Sequence, residues 1–206
     1  MHSSTHLYLL RHGEVEERYH RVFGGSRIDM DLSPHGHQQA AALARYVRRH
    51  PLDAIYASPM RRAQQTLAPL ADHAPTPPVS QDGLREVDFG DWTGLNWEEV
   101  MTRFNVHAAA WLHEMELAAI PNGESAAALR ARVEPCLREI LQQQAGKSAA
   151  IVCHGGVVRM MLAILLEMPL PKLASFEIDY ASVTHIELRP HLTEVRLLNF
   201  APWRHA

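Results

Sequence analysis

The sequence predicts an α/β fold, a three-layer sandwich in which a mostly parallel central sheet carries helices on both faces. The main observation is that apolar runs of strand length, at His6–Leu10, Ala54–Ala57 and Ala149–Cys153, alternate with segments of helical periodicity. The composition agrees, because 47% of the 206 residues are hydrophobic and 21% are charged, as in ordinary globular chains. A chain of this length can form one core, and we predict a single domain over residues 1–206.

Local signals predict the helices in order. The dipeptide Ser-Pro occurs at 33–34 and 58–59 and places an N-cap residue before a proline at the first helical position, which predicts helices to about residues 49 and 73. Further helices are expected from apolar periodicity, and the last two apolar runs are expected to form a hairpin. These elements are predicted over 96–116 with a break near Asn105, 124–144, 157–167, 183–188 and 194–198.

Composition and charge exclude several classes of protein. The longest apolar stretch, Met160–Leu166, is too short to cross a bilayer, so no membrane partner is expected. The net charge of -3 without a basic block argues against a nucleic-acid partner. Cys136 and Cys153 are the only cysteines, and the start of the chain lacks the features of a secretory signal. Together these features predict a cytoplasmic location.

The 14 histidines of the chain do not have the spacing of a metal site. There is no H-E-x-x-H motif and no paired C-x-x-C, and His35 and His37 are expected to be solvated at the start of a helix. We therefore expect no metal and no cofactor. The sequence does not predict the oligomeric state.

Histidines and arginines follow three of the predicted strands. Arg11 and His12 come directly after the first strand, Arg62 follows the second, and His154 comes directly after the third. Because ligands of open α/β sheets bind beyond the carboxyl ends of the strands, these side chains are expected at one edge of the sheet. Arginine forks match phosphate oxygens, and helix N-termini add N–H donors. The cluster therefore predicts a site for a small phosphorylated molecule.

The same cluster is suited to covalent chemistry. A neutral histidine can act as a nucleophile at one ring nitrogen if the other nitrogen is held as a donor. The turn at Gly13 offers a main-chain carbonyl that would hold the ring of His12 in this way. A departing alkoxide needs a general acid, and the loop after residue 84 offers Glu86 and Asp88.

Six blocks of the chain resemble, in the same order, the histidine phosphatase superfamily with its phosphoglycerate mutase-like fold. They are L-R-H-G-E at 10–14, D-L-S-P-H-G-H-Q-Q-A at 31–40, S-P-M-R-R-A-Q-Q-T at 58–66, L-R-E-V-D-F-G-D-W at 84–92, P-N-G-E-S at 121–125 and V-C-H-G-G-V-V-R at 152–159. The resemblance implies that His12 is the phosphorylated nucleophile and Glu86 the proton donor. It also implies that the phosphoryl oxygens are held by Arg11, Arg62 and His154.

Two positions depart from the family pattern. Arg18 stands where many members have asparagine, and Thr93 stands where the family often has glutamate. Because of the first departure, the sequence does not determine which residue makes the phosphate contact that asparagine makes in those members. The block at 84–92 is similar to that of alpha-ribazole phosphatase-type small phosphatases, and the longer stretch that mutases carry before P-x-G-E-S is absent.

These observations predict a metal-independent phosphomonoester hydrolase that acts on a small phosphorylated metabolite through a phosphohistidine intermediate. Phosphoglycerate mutase-type phosphoryl transfer and a non-catalytic phosphate-binding module remain alternatives. A further alternative is a cysteine-dependent phosphatase, because Cys153 and Arg159 have the spacing C-x5-R. The aromatic residues of the segment 89–121 either cover the site or belong to the core; they are Trp92, Trp97, Phe104 and Trp111.

Overall fold

The computed structural model describes residues 4–205, which form a six-stranded sheet between two layers of helices. The strands are β1 Thr5–Arg11, β2 Ala54–Ala57, β3 Val79–Ser80, β4 Ser148–Cys153, β5 Val183–Arg189 and β6 Leu192–Phe200. Their order is β3-β2-β4-β1-β5-β6; the first four are mutually parallel, and β5 and β6 are antiparallel additions. The predicted mostly parallel α/β sandwich is confirmed. That residues 1–206 form one domain stays a prediction, since 1–3 and 206 lie outside the described residues.

The helices divide between the two faces of the sheet. They are α1 Pro34–Val47, α2 Arg61–Leu67, α3 Trp97–Phe104, α4 Trp111–Glu116, α5 Ala126–Gln143 and α6 Gly155–Leu165. On one face, Leu43 of α1 and Ala63 of α2 share an apolar cluster with the β1 residue Leu10. On the other face, α3 to α6 join Leu9 and Ile151 in a second, larger cluster. Successive strand residues point to opposite faces of the sheet, and each face is covered by one of the two apolar clusters.

Most predicted boundaries are confirmed. Ser33 caps α1, because its hydroxyl accepts a hydrogen bond from the backbone N–H of Gly36 at 2.9 Å. The predicted break falls at Asn105, which adopts a left-handed conformation and ends α3. The two last strands form the predicted antiparallel hairpin, and α6 begins at Gly155, two residues earlier than expected.

The prediction that Ser58-Pro59 starts a helix reaching residue 73 is wrong. The hydroxyl of Ser58 lies 2.8 Å from Nε2 of His154 and caps no helix. The first turn of α2 instead uses Asp29 of a distant loop, whose carboxylate accepts a hydrogen bond from the backbone N–H of Arg61. The α-helix ends at Leu67, and a short 3-10 turn follows.

Within residues 4–205, no helix combines the length and the apolar character needed to cross a membrane.

A cluster of histidine and tyrosine rings fills the space between β1, β5 and the end of α1. Nδ1 of His6 lies 3.0 Å from Nε2 of His185, and the ring of His185 stacks on Tyr8 at 4.3 Å. His50 packs against both Tyr8 and Tyr46. These rings lie outside the pocket described below.

We expect His185 to make the folded protein less stable at acidic pH. Burial and the nearby His6 and His50 lower the pKa of His185 from 6.5 to about 4, although Glu187 opposes the shift. Below about pH 6.5 the unfolded chain binds a proton that the folded chain does not bind until about pH 4. The stability that depends on a neutral His185 is therefore fully present above about pH 6.5, and it is lost as the pH falls toward about 4.

Because His185 is only half-buried, we expect it to lower the free energy of unfolding by about 1 kcal/mol between about pH 7.5 and pH 5. Urea unfolding at both pH values, in the wild-type protein and in His185→Phe, measures this loss. Between the two pH values, the free energy of unfolding should fall by about 1 kcal/mol less in the variant than in the wild type. Equal pH dependence in the two proteins would contradict the assignment.

Candidate active site

A pocket of about 620 Å³ opens at the edge of the sheet where β1, β2 and β4 end. Arg11, His12, Arg62 and Glu86 line this pocket. His154 is fully buried next to it, with its ring 5.2 Å from the ring of His12. The side chains predicted from the strand ends are therefore brought together at one site.

The ring of His12 is held in a single orientation. Its Nδ1 lies 2.7 Å from the carbonyl oxygen of Gly13, as the turn at Gly13 predicted. A carbonyl only accepts hydrogen bonds, so Nδ1 carries the proton and Nε2 has the lone pair. Burial, followed by the charges of Arg62 and Arg11, holds the pKa of His12 well below 6.5. The ring is neutral at neutral pH, so Nε2 keeps the lone pair that a nucleophile needs.

The turn that carries His12 depends on two glycines in close contact. A Cβ atom on Gly13 would lie 2.6 Å from the carbonyl oxygen of Gly36, and one on Gly36 would lie 2.0 Å from the carbonyl oxygen of Glu14. Two motif residues fasten the same turn: Thr66 accepts a hydrogen bond from Gly13 N–H, and Gln39 accepts one from Glu14 N–H. The blocks at 31–40 and 58–66 thus fix the backbone around His12.

Arg62 places a buried positive charge beside the nucleophile. Its Nε donates to Nε2 of His12 at 3.2 Å, and its terminal nitrogens donate to the carbonyl oxygens of Gly25 and Ile28. Arg62 is only 2% exposed, and burial lowers its pKa, while Glu86 opposes that shift. A buried guanidinium without an ion-pair partner favours an anion nearby. No sequence pattern indicated the two carbonyl partners, which belong to a loop distant along the chain.

Two buried nitrogen atoms at the site have no hydrogen-bond partner among the described residues. Nε of Arg11 and Nδ1 of His154 are buried and make no hydrogen bond. The guanidinium of Arg11 lies 4.0 Å from the ring centre of Tyr180 and donates to the carbonyl of Ile178. His154 is held through Ser58, and burial together with Arg62 lowers the pKa of its ring. Buried polar atoms without partners are costly. Phosphate oxygens would accept a hydrogen bond from Nε of Arg11, and from Nδ1 of His154 if the hydroxyl of Ser58 donates to Nε2 of that ring.

Glu86 enters the pocket from the loop after residue 84. Its Oε2 accepts a hydrogen bond from Gly156 N–H at 3.3 Å, and a Cβ atom on Gly156 would lie 2.5 Å from Oε1. Glycine at this position therefore makes room for the carboxylate. Asp88, the other acid considered, forms an ion pair with Arg27 at 2.7 Å and does not line the pocket.

The aromatic residues of the segment 89–121 divide between the two predicted roles. Trp97 and Trp111 line the pocket. Trp92 is fully buried in the core, and Phe104 packs against it with ring centres 6.2 Å apart. Arg18 is exposed, pairs with Glu16 and does not line the pocket, so it does not replace the asparagine contact of the family.

The geometry gives no support to a cysteine nucleophile. Cys153 is fully buried and does not line the pocket, and burial raises the pKa of its thiol far above the ordinary value. Arg159 does line the pocket, but it donates to the carbonyls of Gly155, Leu173 and Phe176. These contacts tie α6 to the segment that follows it.

The family model described as the histidine phosphatase superfamily (branch 1) matches residues 7–201, nearly the whole chain. The chain belongs to this superfamily. It is a histidine phosphatase, and the resemblance carried by the six sequence blocks is confirmed.

Named relatives of this histidine phosphatase are phosphatases as well. Phosphoserine phosphatase 1 of Hydrogenobacter thermophilus is 32% identical over 193 residues, which cover 94% of this chain and 91% of the relative. The adenosylcobalamin/alpha-ribazole phosphatase of Escherichia coli K12 is 26% identical, with 94% and 95% covered. The solved structure of a mycobacterial glucosyl-3-phosphoglycerate phosphatase matches with a TM-score of 0.84 and 25% identity, over 96% of this chain and 99% of that one. These names favour hydrolysis over mutase-type transfer.

Proposed function

We propose that this histidine phosphatase hydrolyses phosphomonoesters of small metabolites in two steps, through a phosphohistidine at His12. The observation that carries the proposal is the ring of His12, which is neutral, held at Nδ1 by the Gly13 carbonyl, and has its Nε2 beside Arg62. The buried, unpartnered nitrogens of Arg11 and His154 support it, because Arg11 lines the pocket and the ring of His154 lies 5.2 Å from the ring of His12.

In the first step, Nε2 of His12 attacks the phosphorus atom and the bond from phosphorus to the ester oxygen breaks. Glu86 gives its proton to the leaving oxygen, which departs as an alcohol. Arg11, Arg62 and His154 donate hydrogen bonds to the phosphoryl oxygens, where negative charge is concentrated.

In the second step, the carboxylate of Glu86 takes a proton from a water molecule, and the water oxygen attacks the phosphorus atom. The bond from phosphorus to Nε2 breaks, inorganic phosphate leaves, and His12 and protonated Glu86 are restored. No step requires a metal ion. Among residues 4–205, no three His, Cys, Asp or Glu side chains are arranged to hold one.

A panel of phosphate esters, assayed for phosphate release with and without EDTA, tests this proposal. We expect the activity to survive excess EDTA, because the arginines supply the charge that a metal would provide. Vanadate should inhibit, because it adopts the five-coordinate geometry of the phosphoryl group in transit. Complete loss on chelation, with recovery on adding a divalent ion, would instead indicate metal-assisted hydrolysis.

A further inference from the structure

Tyr180 lies in the pocket beside two residues of the proposed mechanism, although it belongs to none of the six sequence blocks. Its ring centre is 4.0 Å from the guanidinium carbon of Arg11 and 5.6 Å from the ring centre of His12. The side chain is half-buried at the pocket wall. Both contacts are made by the aromatic ring, so the ring is the part of Tyr180 that acts on the site.

Arg11 needs such a contact, because its charge is not balanced by the protein. None of the ion pairs formed within residues 4–205 involves Arg11. Two further arginines, Arg62 and Arg159, line the same pocket. Burial and then the charge of Arg11 lower the pKa of Arg159 to about 10, although Glu86 opposes the shift. Repulsion between these cations favours side-chain conformations that carry Arg11 away from the pocket.

The ring of Tyr180 supplies an attraction that leaves the charge of Arg11 intact. The face of an aromatic ring carries negative electrostatic potential and attracts a guanidinium group that lies over it. A carboxylate in the same place would neutralise Arg11 and compete with a bound phosphate group for its N–H donors. Nη1 donates to the carbonyl oxygen of Ile178, whereas the buried Nε has no partner among the described residues. Nε is therefore held in the pocket and remains available to an anion.

The main chain that carries the ring is anchored on both sides of the pocket wall. The carbonyl oxygen of Tyr180 accepts a hydrogen bond from the indole N–H of Trp203 at 2.8 Å. The backbone N–H of the next residue, Ala181, donates to the carbonyl oxygen of His12 at 2.9 Å. The position of the ring is thus fixed relative to the end of β1, from which Arg11 and His12 extend.

We propose that Tyr180 is a positioning residue whose ring holds the guanidinium of Arg11 in the orientation that contacts the phosphoryl group. The proposal rests on the proposed function, because it takes Arg11 to donate to a phosphoryl oxygen of the substrate. Arg11 is then in place before the substrate arrives, and binding does not have to draw it in against the repulsion of the other arginines.

The test measures the affinity for inorganic phosphate by calorimetry and kcat/KM for p-nitrophenyl phosphate. We expect Tyr180→Leu to raise the Kd for phosphate about tenfold, the size of a desolvated contact between a cation and a ring, and to lower kcat/KM with it. Tyr180→Phe keeps the ring and should change the Kd by less than about twofold. A loss in Tyr180→Phe as large as that in Tyr180→Leu would assign the effect to the hydroxyl and overturn the proposal.

A double-mutant cycle shows whether Tyr180 acts through Arg11. Arg11→Gln alone should raise the Kd for phosphate by about a hundredfold, because it removes a charged hydrogen bond. Adding Tyr180→Leu to Arg11→Gln should change the Kd by less than about twofold further, since the ring has no guanidinium left to hold. A further tenfold loss in the double variant would mean that the two residues act independently, and the proposal would be wrong.

Tyr46→Leu is the matched control for the loss of a tyrosine ring. Tyr46 is also half-buried, packs against His50 and Phe200, and lies away from the pocket. Its replacement should leave the affinity for phosphate unchanged. If Tyr46→Leu weakens phosphate binding as much as Tyr180→Leu does, the effect is one of general destabilisation and the proposal fails.

A fluorinated ring provides the same test if thermal unfolding shows that Tyr180→Leu does not fold. Incorporating 3,4,5-trifluorophenylalanine at position 180 keeps the shape of the phenylalanine ring but withdraws electron density from its face. We expect a Kd for phosphate about threefold above that of Tyr180→Phe. Equal affinities in these two proteins would show that the ring does not attract Arg11.

The outcomes separate this inference from the proposed function. If p-nitrophenyl phosphate is hydrolysed and His12 is required, but Tyr180→Leu binds phosphate like the wild type, the assignment of Tyr180 is wrong and the phosphatase mechanism stands. If no ester is hydrolysed but phosphate binding still depends on Arg11 and Tyr180 together, the proposed function fails and the positioning role stands. If the wild-type protein binds no phosphate, both fail.

Discussion

Replacing His12 by alanine is expected to lower kcat/KM for every phosphate ester by about four orders of magnitude or more. The imidazole supplies the nitrogen that forms the bond to phosphorus, and alanine has no such atom. The neutral ring with its proton fixed on Nδ1 leaves only Nε2 to react. Steady-state rates with p-nitrophenyl phosphate and with an alkyl phosphate measure the loss.

A quenched reaction of the wild-type protein should contain a phosphoryl group that is stable to alkali and labile to acid, and His12→Ala should lack it. Because His12 is buried, the variant's thermal unfolding must be compared with that of the wild type before the loss is assigned to chemistry. Cys153→Ala is the matched control, since it removes the buried thiol of the alternative mechanism and should keep most of the activity. An inactive Cys153→Ala alongside an active His12→Ala would reverse the assignment.

Glu86→Gln is expected to slow alkyl phosphates by about 10²- to 10³-fold while slowing p-nitrophenyl phosphate far less. An alkoxide is a poor leaving group and needs a proton in the first step, whereas p-nitrophenolate leaves without one. Glutamine has nearly the same size and keeps one oxygen that can accept a hydrogen bond, so the contact with Gly156 N–H can persist. The measurement is the ratio of kcat/KM for the alkyl phosphate to kcat/KM for p-nitrophenyl phosphate. A lower ratio in the variant than in the wild type shows that proton donation to the leaving group has been lost.

Asp88→Asn is the corresponding control for an acid in the same loop. Asp88 pairs with Arg27 outside the pocket, so its replacement should change both ester types alike and only modestly. Equal losses on the two ester types in Glu86→Gln would mean that Glu86 positions the substrate instead of donating a proton.

The parts of the site that follow strand ends were predictable from the sequence. Arg11, His12 and His154 lie within one residue of the carboxyl ends of β1 and β4, where topology alone determines their place. The hydrogen bond from His12 to the Gly13 carbonyl is local along the chain, and it too could be predicted.

The remaining parts depend on contacts between segments far apart in sequence. The carbonyls of Gly25 and Ile28 that hold Arg62, and the ring of Tyr180 beside Arg11, come from loops whose path no local pattern determines. Ser58 was misassigned for the same reason, because its hydroxyl bonds to His154 from another strand end. Backbone carbonyls carry no residue-type signal, so an arginine that uses them has no partner visible in the sequence.

The position of β1 in the sheet has a consequence for the order in which the protein becomes active during its synthesis. This strand is made first, yet both of its neighbours, β4 and β5, come from the last third of the chain. The main chain of His12 is tied to that last third as well, because its carbonyl accepts a hydrogen bond from Ala181 N–H. During synthesis the nucleophile thus follows an apolar strand that has no partner strand until β4 has been made. The geometry of the nucleophile therefore depends on the last third of the chain, and β1 is an unpaired apolar segment until β4 and β5 are available to it.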